Sequence, residues 1–264
     1  MEGGCGAGDG RNYLVRPDLP NTGLAAYNYG MAIITAALLE QDVFISHSVA
    51  PPFPSQYAHS RRVGNDQMYG GVEYSINCIG GGGWWLSKLY RQDPDLVVFG
   101  RDVIKPVLKP FDPLWDMDGQ SRVNKAIVAG GLLLAGDNFT NVTSIALARK
   151  YLGNALVNAV MRLGVTFRPV ESNHGLVAAT LLEMVVPDGV VAPLNASGFL
   201  CLFNFDPLLR HTTAIDLSRL AHPLNRAQSA TNVWTGETVP VGADSKLPVD
   251  IATLSSILLA LHVK

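Results

Sequence analysis

Three aspartate positions in this 264-residue chain have the setting that acid–base or ligand-binding chemistry needs. The first is Asp66, in Arg62-Val-Gly-Asn-Asp66. Side chains repeat every two residues along a strand, so in an extended segment Arg62 and Asp66 share a face. The second is Asp93-Pro-Asp95, immediately before an apolar run, and the third is Asp137, in Gly136-Asp-Asn138. Taken singly, each also has a plain structural explanation. An arginine and an aspartate spaced this way can form a surface ion pair. Asp-Pro-Asp is a turn or helix-cap sequence, and Gly-Asp-Asn is a turn sequence.

The elements that would position these groups alternate between helix-sized and strand-sized segments. Leu24, Tyr27, Met31, Ile34 and Leu38 recur at helical spacing and predict a helix over 21–40, with Asn21 as its N-cap. A strand is expected at Val43–Ser48, then a short helix from Ser55 to Asp66 leading to another strand end. Val72–Leu89 has helical spacing that the glycines from Gly80 to Gly83 should break. Strands are expected at Leu96–Phe99 and Leu132–Ala135, with helices at Gly119–Ala129 and Ser144–Leu163. The strands are short apolar runs, as in a parallel sheet covered by helices. From Thr166 the pattern is read as short alternating segments such as Phe199–Phe205, separated by Pro, Gly, Asn and Asp. That predicts an antiparallel β domain, with residues 1–166 and 167–264 as the two domains. In a parallel α/β barrel, reactive groups collect where strands end and loops begin, and the three aspartate positions fall at such ends.

Composition narrows the function classes. Hydrophobic residues make up 48% of the chain and charged residues 16%, enough apolar material for a sizeable core. The net charge is −2 with no basic stripe, so nucleic acid and anionic membrane are not expected partners. Cys5, Cys78 and Cys201 are far apart and odd in number, which suits buried thiols rather than a disulfide framework or a zinc site. The longest apolar run, Ala126–Gly136, is too short to span a bilayer. The start of the sequence lacks the pattern of a signal peptide, and compartment is not assigned. Sequons occur at Asn138, Asn141 and Asn195.

Several ordered motifs carry a family resemblance. The run from Phe44 to Arg62 (FISHSVAPPFPSQYAHSRR), the segment Gly83-Trp-Trp-Leu-Ser-Lys-Leu-Tyr-Arg-Gln-Asp-Pro-Asp95, and Ser121-Arg-Val-Asn-Lys through Asp137 are similar to segments of α-galactosidases of glycoside hydrolase families 27 and 36. Phe203-Asn-Phe-Asp206, Asp216-Leu217 and Val233-Trp-Thr-Gly-Glu237 resemble the β-sandwich that follows the barrel in those enzymes. The resemblance runs from about Tyr13 onward. It implies an α/β fold: strands five to eight of a (β/α)8 TIM barrel followed by an all-β antiparallel sandwich. It implies Asp66 as the general acid/base, Arg62 and Asp95 as ligands of the sugar, and Asp93 as support for Asp95. Asp137 is read as structural, and Trp84 and Trp85 as core aromatics that could alternatively stack on sugar.

The chemistry implied is retaining hydrolysis of terminal α-galactosyl residues, which requires no metal and no organic cofactor. One carboxylate attacks the anomeric carbon while another, ~5 Å away, protonates the leaving oxygen and later deprotonates water. In the family the nucleophile is an aspartate in a Lys-x-Asp context at the end of strand four. No such strand precedes the helix over 21–40, so the chain is expected to lack it and to be inactive alone. Half a barrel would expose sheet edges, so poor solubility or self-association is expected. Related activities on the same scaffold remain open, namely α-N-acetylgalactosaminidase, β-L-arabinopyranosidase and isomalto-dextranase. So does a non-catalytic carbohydrate-binding role.

Overall fold

A computed structural model describes residues 23–38, 41–48, 52–64, 66–99, 117–130, 132–170 and 180–263, with 67–70 described by their backbone. The expected N-cap Asn21 and the thiol of Cys5 lie outside these residues. The chain divides into two compact units. One falls within Met1–Arg62 and Lys88–Arg91, the other within Val63–Ser87 and Gln92–Lys264.

The first unit contains helix α1 (Gly23–Leu38) and strands β1 (Ser46–His47) and β2 (Ser60–Arg62). β1 and β2 pair in parallel, Ser46 opposite Ser60 and His47 opposite Arg61. The Ser60 hydroxyl donates to that of Ser46 at 2.7 Å, and the Arg91 N–H donates to the His59 carbonyl at 2.9 Å. The helix expected from Ser55 to Asp66 is reduced to one 3₁₀ turn, Phe53–Gln56. Pairing with β1 draws Ser60–Arg62 into a strand, a non-local effect that overrides local propensity. The helix α1 leaves Leu24, Tyr29, Ile33 and Ile34 between 46% and 55% exposed.

The second unit opens with α2 (Gln67–Cys78), a π-helical turn at Ile79–Gly83, and α3 (Trp84–Leu86). The glycines therefore loosen the expected helix rather than end it, with Gly82 at φ +135°. β3 (Arg91–Asp93) starts in the first unit and ends in the second. α4 (Gly119–Ala129) has the predicted bounds, because Asp118 caps Ser121 N–H and Gly130 stops the helix in a left-handed conformation. The helix expected over 144–163 is two helices, α5 (Val142–Leu152) and α6 (Ala155–Met161). Asn154 begins the second by accepting from Leu156 and Val157 N–H.

The strands expected at Leu96–Phe99 and Leu132–Ala135 meet in one parallel bridge, Val97 opposite Ala135. Val97 N–H donates to Leu134 O at 2.7 Å and Gly136 N–H to Val97 O at 3.0 Å. The ladder stops there for a physical reason. Phe99, the next donor along, gives its N–H to the Asp137 carboxylate instead. The parallel sheet is accordingly small, and no closed barrel forms among the described residues.

After α6 come β4 (Arg168–Pro169), β5 (Leu181–Val185), β6 (Gly198–Asn204), β7 (His211–Asp216), β8 (Ala227–Asn232), β9 (Thr238–Pro240), β10 (Lys246–Ile251) and β11 (Ser255–Val263). Six form an antiparallel sheet in the order β4-β5-β6-β11-β8-β9, and β10 pairs antiparallel with β7. Every residue of β6 is buried, although alternation would leave one face in water. Phe199, Cys201 and Phe203 pack into a core with Ala126 and Ile127 of α4, while Leu200 and Leu202 pack with Ile215, Leu247 and Val249 of β7 and β10. Each fully buried Phe or Leu contributes roughly 1.5–3 kcal/mol. Burial also raises the Cys201 thiol well above its ordinary value. Among the described residues, no helix is long and apolar enough to cross a membrane.

Three carboxylates of this β region sit below their ordinary value. Backbone N–H groups of Leu208 and Leu209 hold Asp206 down, bonds from Ser218 hold Asp216, and a hydrogen bond from Arg210 holds Asp250. A depressed folded value gives stability that is complete above the unfolded value of 3.8 and lost as pH falls through the lower folded one. The urea midpoint should therefore hold from neutrality down to about pH 4.5 and fall below about pH 4, with Asp206→Asn flattening part of that fall.

Candidate functional site

The candidate site residues follow two strand ends. Arg62 is the last residue of β2, half-buried, and belongs to the first unit. In the second unit Val63 is buried and donates its N–H to the Asp93 carbonyl at 2.7 Å. Gly64 then takes φ +94°, where a Cβ would stand 2.7 Å from the Ser75 hydroxyl oxygen. Glycine is needed there on both counts. That turn interrupts the extended backbone two residues before Asp66. Asp66 is exposed and stands at the N-cap position of α2, with φ −52° and ψ 139°. Its side chain makes no capping bond to the helix.

The second strand end is the turn Asp93-Pro94-Asp95. Both aspartates are buried, at 6% and 5% exposure. Asp93 Oδ1 accepts the Asp95 N–H at 2.9 Å, a local closure typical of aspartate in turns. Asp95 is left-handed at φ +67°, a conformation that aspartate adopts more readily than most non-glycine residues and that its surroundings here support. Those surroundings include Lys125 of α4, which is fully buried. Its ammonium donates to the Pro94 carbonyl at 2.8 Å and the Leu96 carbonyl at 3.3 Å, the two flanking Asp95. The Val63–Asp93 bond runs the segment leading to Asp66 beside this turn, within one unit.

Asp137 does different work. Both its oxygens accept the Phe99 N–H at 2.9 Å, tying two parallel segments together, in keeping with its structural reading. Trp84 packs against the core, whereas Trp85 is 47% exposed. Sequence reasoning passed over Lys125. The one local signal was a lysine inside the apolar stretch Val123–Ala129, and its purpose emerges from contacts about thirty residues upstream.

Solved structures share this architecture. The chain matches α-galactosidase I from Mortierella vinacea over 91% of its own length and 64% of that chain, at 12% identity and a TM-score of 0.61. A β-L-arabinopyranosidase of glycoside hydrolase family 27 from Geobacillus stearothermophilus, solved with arabinose, matches over 94% of this chain and 57% of its own, at 17% identity and TM-score 0.63. An isomalto-dextranase from Arthrobacter globiformis, solved with panose, matches over 98% and 44%, at 16% identity and TM-score 0.62. Structural similarity to α-galactosidase-like proteins thus extends across most of the chain, which spans only about half to two thirds of their length. At these identities the likeness is one of fold. No family model matches the sequence, and no curated protein matches it.

Proposed function

We propose that this chain supplies the acid/base half of a retaining glycoside hydrolase site for terminal α-galactosyl residues. In this reading residues 1–166 correspond to strands five to eight of a (β/α)8 barrel, and 167–264 to the β-sandwich that follows. Asp66 is the acid/base, Arg62 and Asp95 bind sugar hydroxyls, and Asp93 supports Asp95. The observation that carries the reading is the backbone bond from Val63 to Asp93, which runs the approach to Asp66 alongside the Asp93–Asp95 turn. Proton transfer by a positioned carboxyl contributes ~10²–10⁴-fold to such a reaction. The covalent route also needs a carboxylate ~5 Å from the acid, and in this reading it comes from residues outside the 264.

The reading predicts saturable binding of methyl α-D-galactopyranoside by calorimetry, lost about tenfold or more in Asp95→Ala. The chain alone should leave p-nitrophenyl α-galactoside intact. Binding by wild type and Asp95→Ala alike would remove Asp95 from the site, and turnover by the pure chain would overturn the shared-site reading. The large apolar side chains exposed on α1, Leu24, Tyr29, Ile33 and Ile34, further support self-association or a complementary segment that covers them. Sedimentation velocity should then show concentration-dependent association, and a monomer at every concentration would contradict it.

A further inference from the structure

We infer that Lys125 is the positioning residue of this site, fixing the Asp93-Pro94-Asp95 turn through the two carbonyls that flank Asp95; the inference rests on the sugar-site reading just given. A buried ammonium is an expensive way to fill a helix position, since an apolar side chain of similar length would pack there without losing hydration. Lys125 is nonetheless 0% exposed, in a helix whose residues from Ser121 to Ala129 are all buried. Its bonds go to Pro94 O and Leu96 O, so it constrains the peptide units on either side of a residue at φ +67°. The Asp93 carboxylate constrains the same turn from within, by accepting the Asp95 N–H. Together these bonds set where the Asp95 backbone starts, and through it where its carboxylate can reach.

The helix carrying Lys125 is itself anchored. Ser121 Oγ donates to Ser256 Oγ at 2.8 Å, Asn124 Nδ2 to Ser256 Oγ at 2.9 Å, and Trp234 Nε1 to Asn124 Oδ1 at 2.9 Å. Successive helix residues point about 100° apart. The helix therefore fastens to the antiparallel sheet through Ser121 and Asn124 and to the aspartate turn through Lys125. The Ser256 bonds hold the helix to the sheet, whereas the form of the turn is set by the two bonds of the ammonium itself.

The test compares Lys125→Met, which deletes the donor, Lys125→Gln, which keeps a neutral one, and Ser256→Ala, which loosens the other side of the same helix. Each is titrated with methyl α-D-galactopyranoside, melted, and followed by amide hydrogen exchange at Asp95. Lys125→Met should bind at least about tenfold more weakly and Lys125→Gln about threefold, both with faster exchange at Asp95. Ser256→Ala should lower the melting temperature while binding within about twofold of wild type. If Lys125→Met fails to fold, Lys125→Gln decides alone, and binding and exchange like wild type overturn the inference. Equal losses in Ser256→Ala and the Lys125 variants, at equal loss of melting temperature, also overturn it. Failure of wild type to bind the sugar would bring down the functional reading itself, a result distinct from wild-type binding that the Lys125 variants share.

Discussion

Gly130→Ala should lower stability by about 3 kcal/mol and the melting temperature by roughly 6–12 °C. Gly130 ends α4 at φ +62° and ψ 24°, donating its N–H to Ile127 O at 2.9 Å. An alanine would carry the left-handed penalty of about 1 kcal/mol. The larger share comes from packing: its Cβ would overlap the backbone of Val165 and Thr166, which cannot turn aside as a flexible side chain can. That backbone is fixed in turn, because the Thr166 hydroxyl donates to Ala129 O and Phe167 N–H to Val128 O at 2.9 Å. A melting temperature within about 2 °C of wild type would mean that this approach is looser than the structure has it.

Asp137→Ala should cost about 2–3 kcal/mol, read as a lower urea midpoint at unchanged slope. It strands the Phe99 N–H, which both carboxylate oxygens accept at 2.9 Å. Asp137→Asn keeps an acceptor and should cost about 1 kcal/mol or less. The pair separates a structural aspartate from a reacting one. A reacting carboxylate would lose its chemistry in the Asn variant while stability held, whereas a structural one follows the hydrogen bond. Sugar binding that collapses in Asp137→Asn at unchanged stability would move Asp137 into the site.

What could be read from the sequence depended on how local the causes were. The bounds of α4 were legible because Asp118 and Gly130 mark them within the segment itself. The break between α5 and α6 was missed, though Asn154 is a strong N-cap, because apolar spacing runs across it. The strand Ser60–Arg62 exists because Ser46 and His47 pair with it from fourteen residues away. The complete burial of β6 is written in its unbroken apolar run Phe199–Phe203, which needs cover on both faces, but which layers supply that cover depends on contacts distant in sequence. At the site, motif resemblance singled out Asp66, Asp93 and Asp95, and local turn chemistry explains the Asp93–Asp95 closure. The clamp from Lys125 was invisible, since it joins residues that only tertiary folding brings together.

In the proposed function the approach to Asp66 and the Asp93–Asp95 turn form one sugar site. Backbone amide shifts of the isotopically labelled chain, followed during titration with methyl α-D-galactopyranoside, test it most directly. Saturable shifts concentrated at Val63, Gly64, Asp66, Asp95 and Leu96, and absent in Asp95→Ala, are the expected result. No saturable shifts, or shifts confined to the antiparallel sheet between Gly198 and Val263, would contradict it.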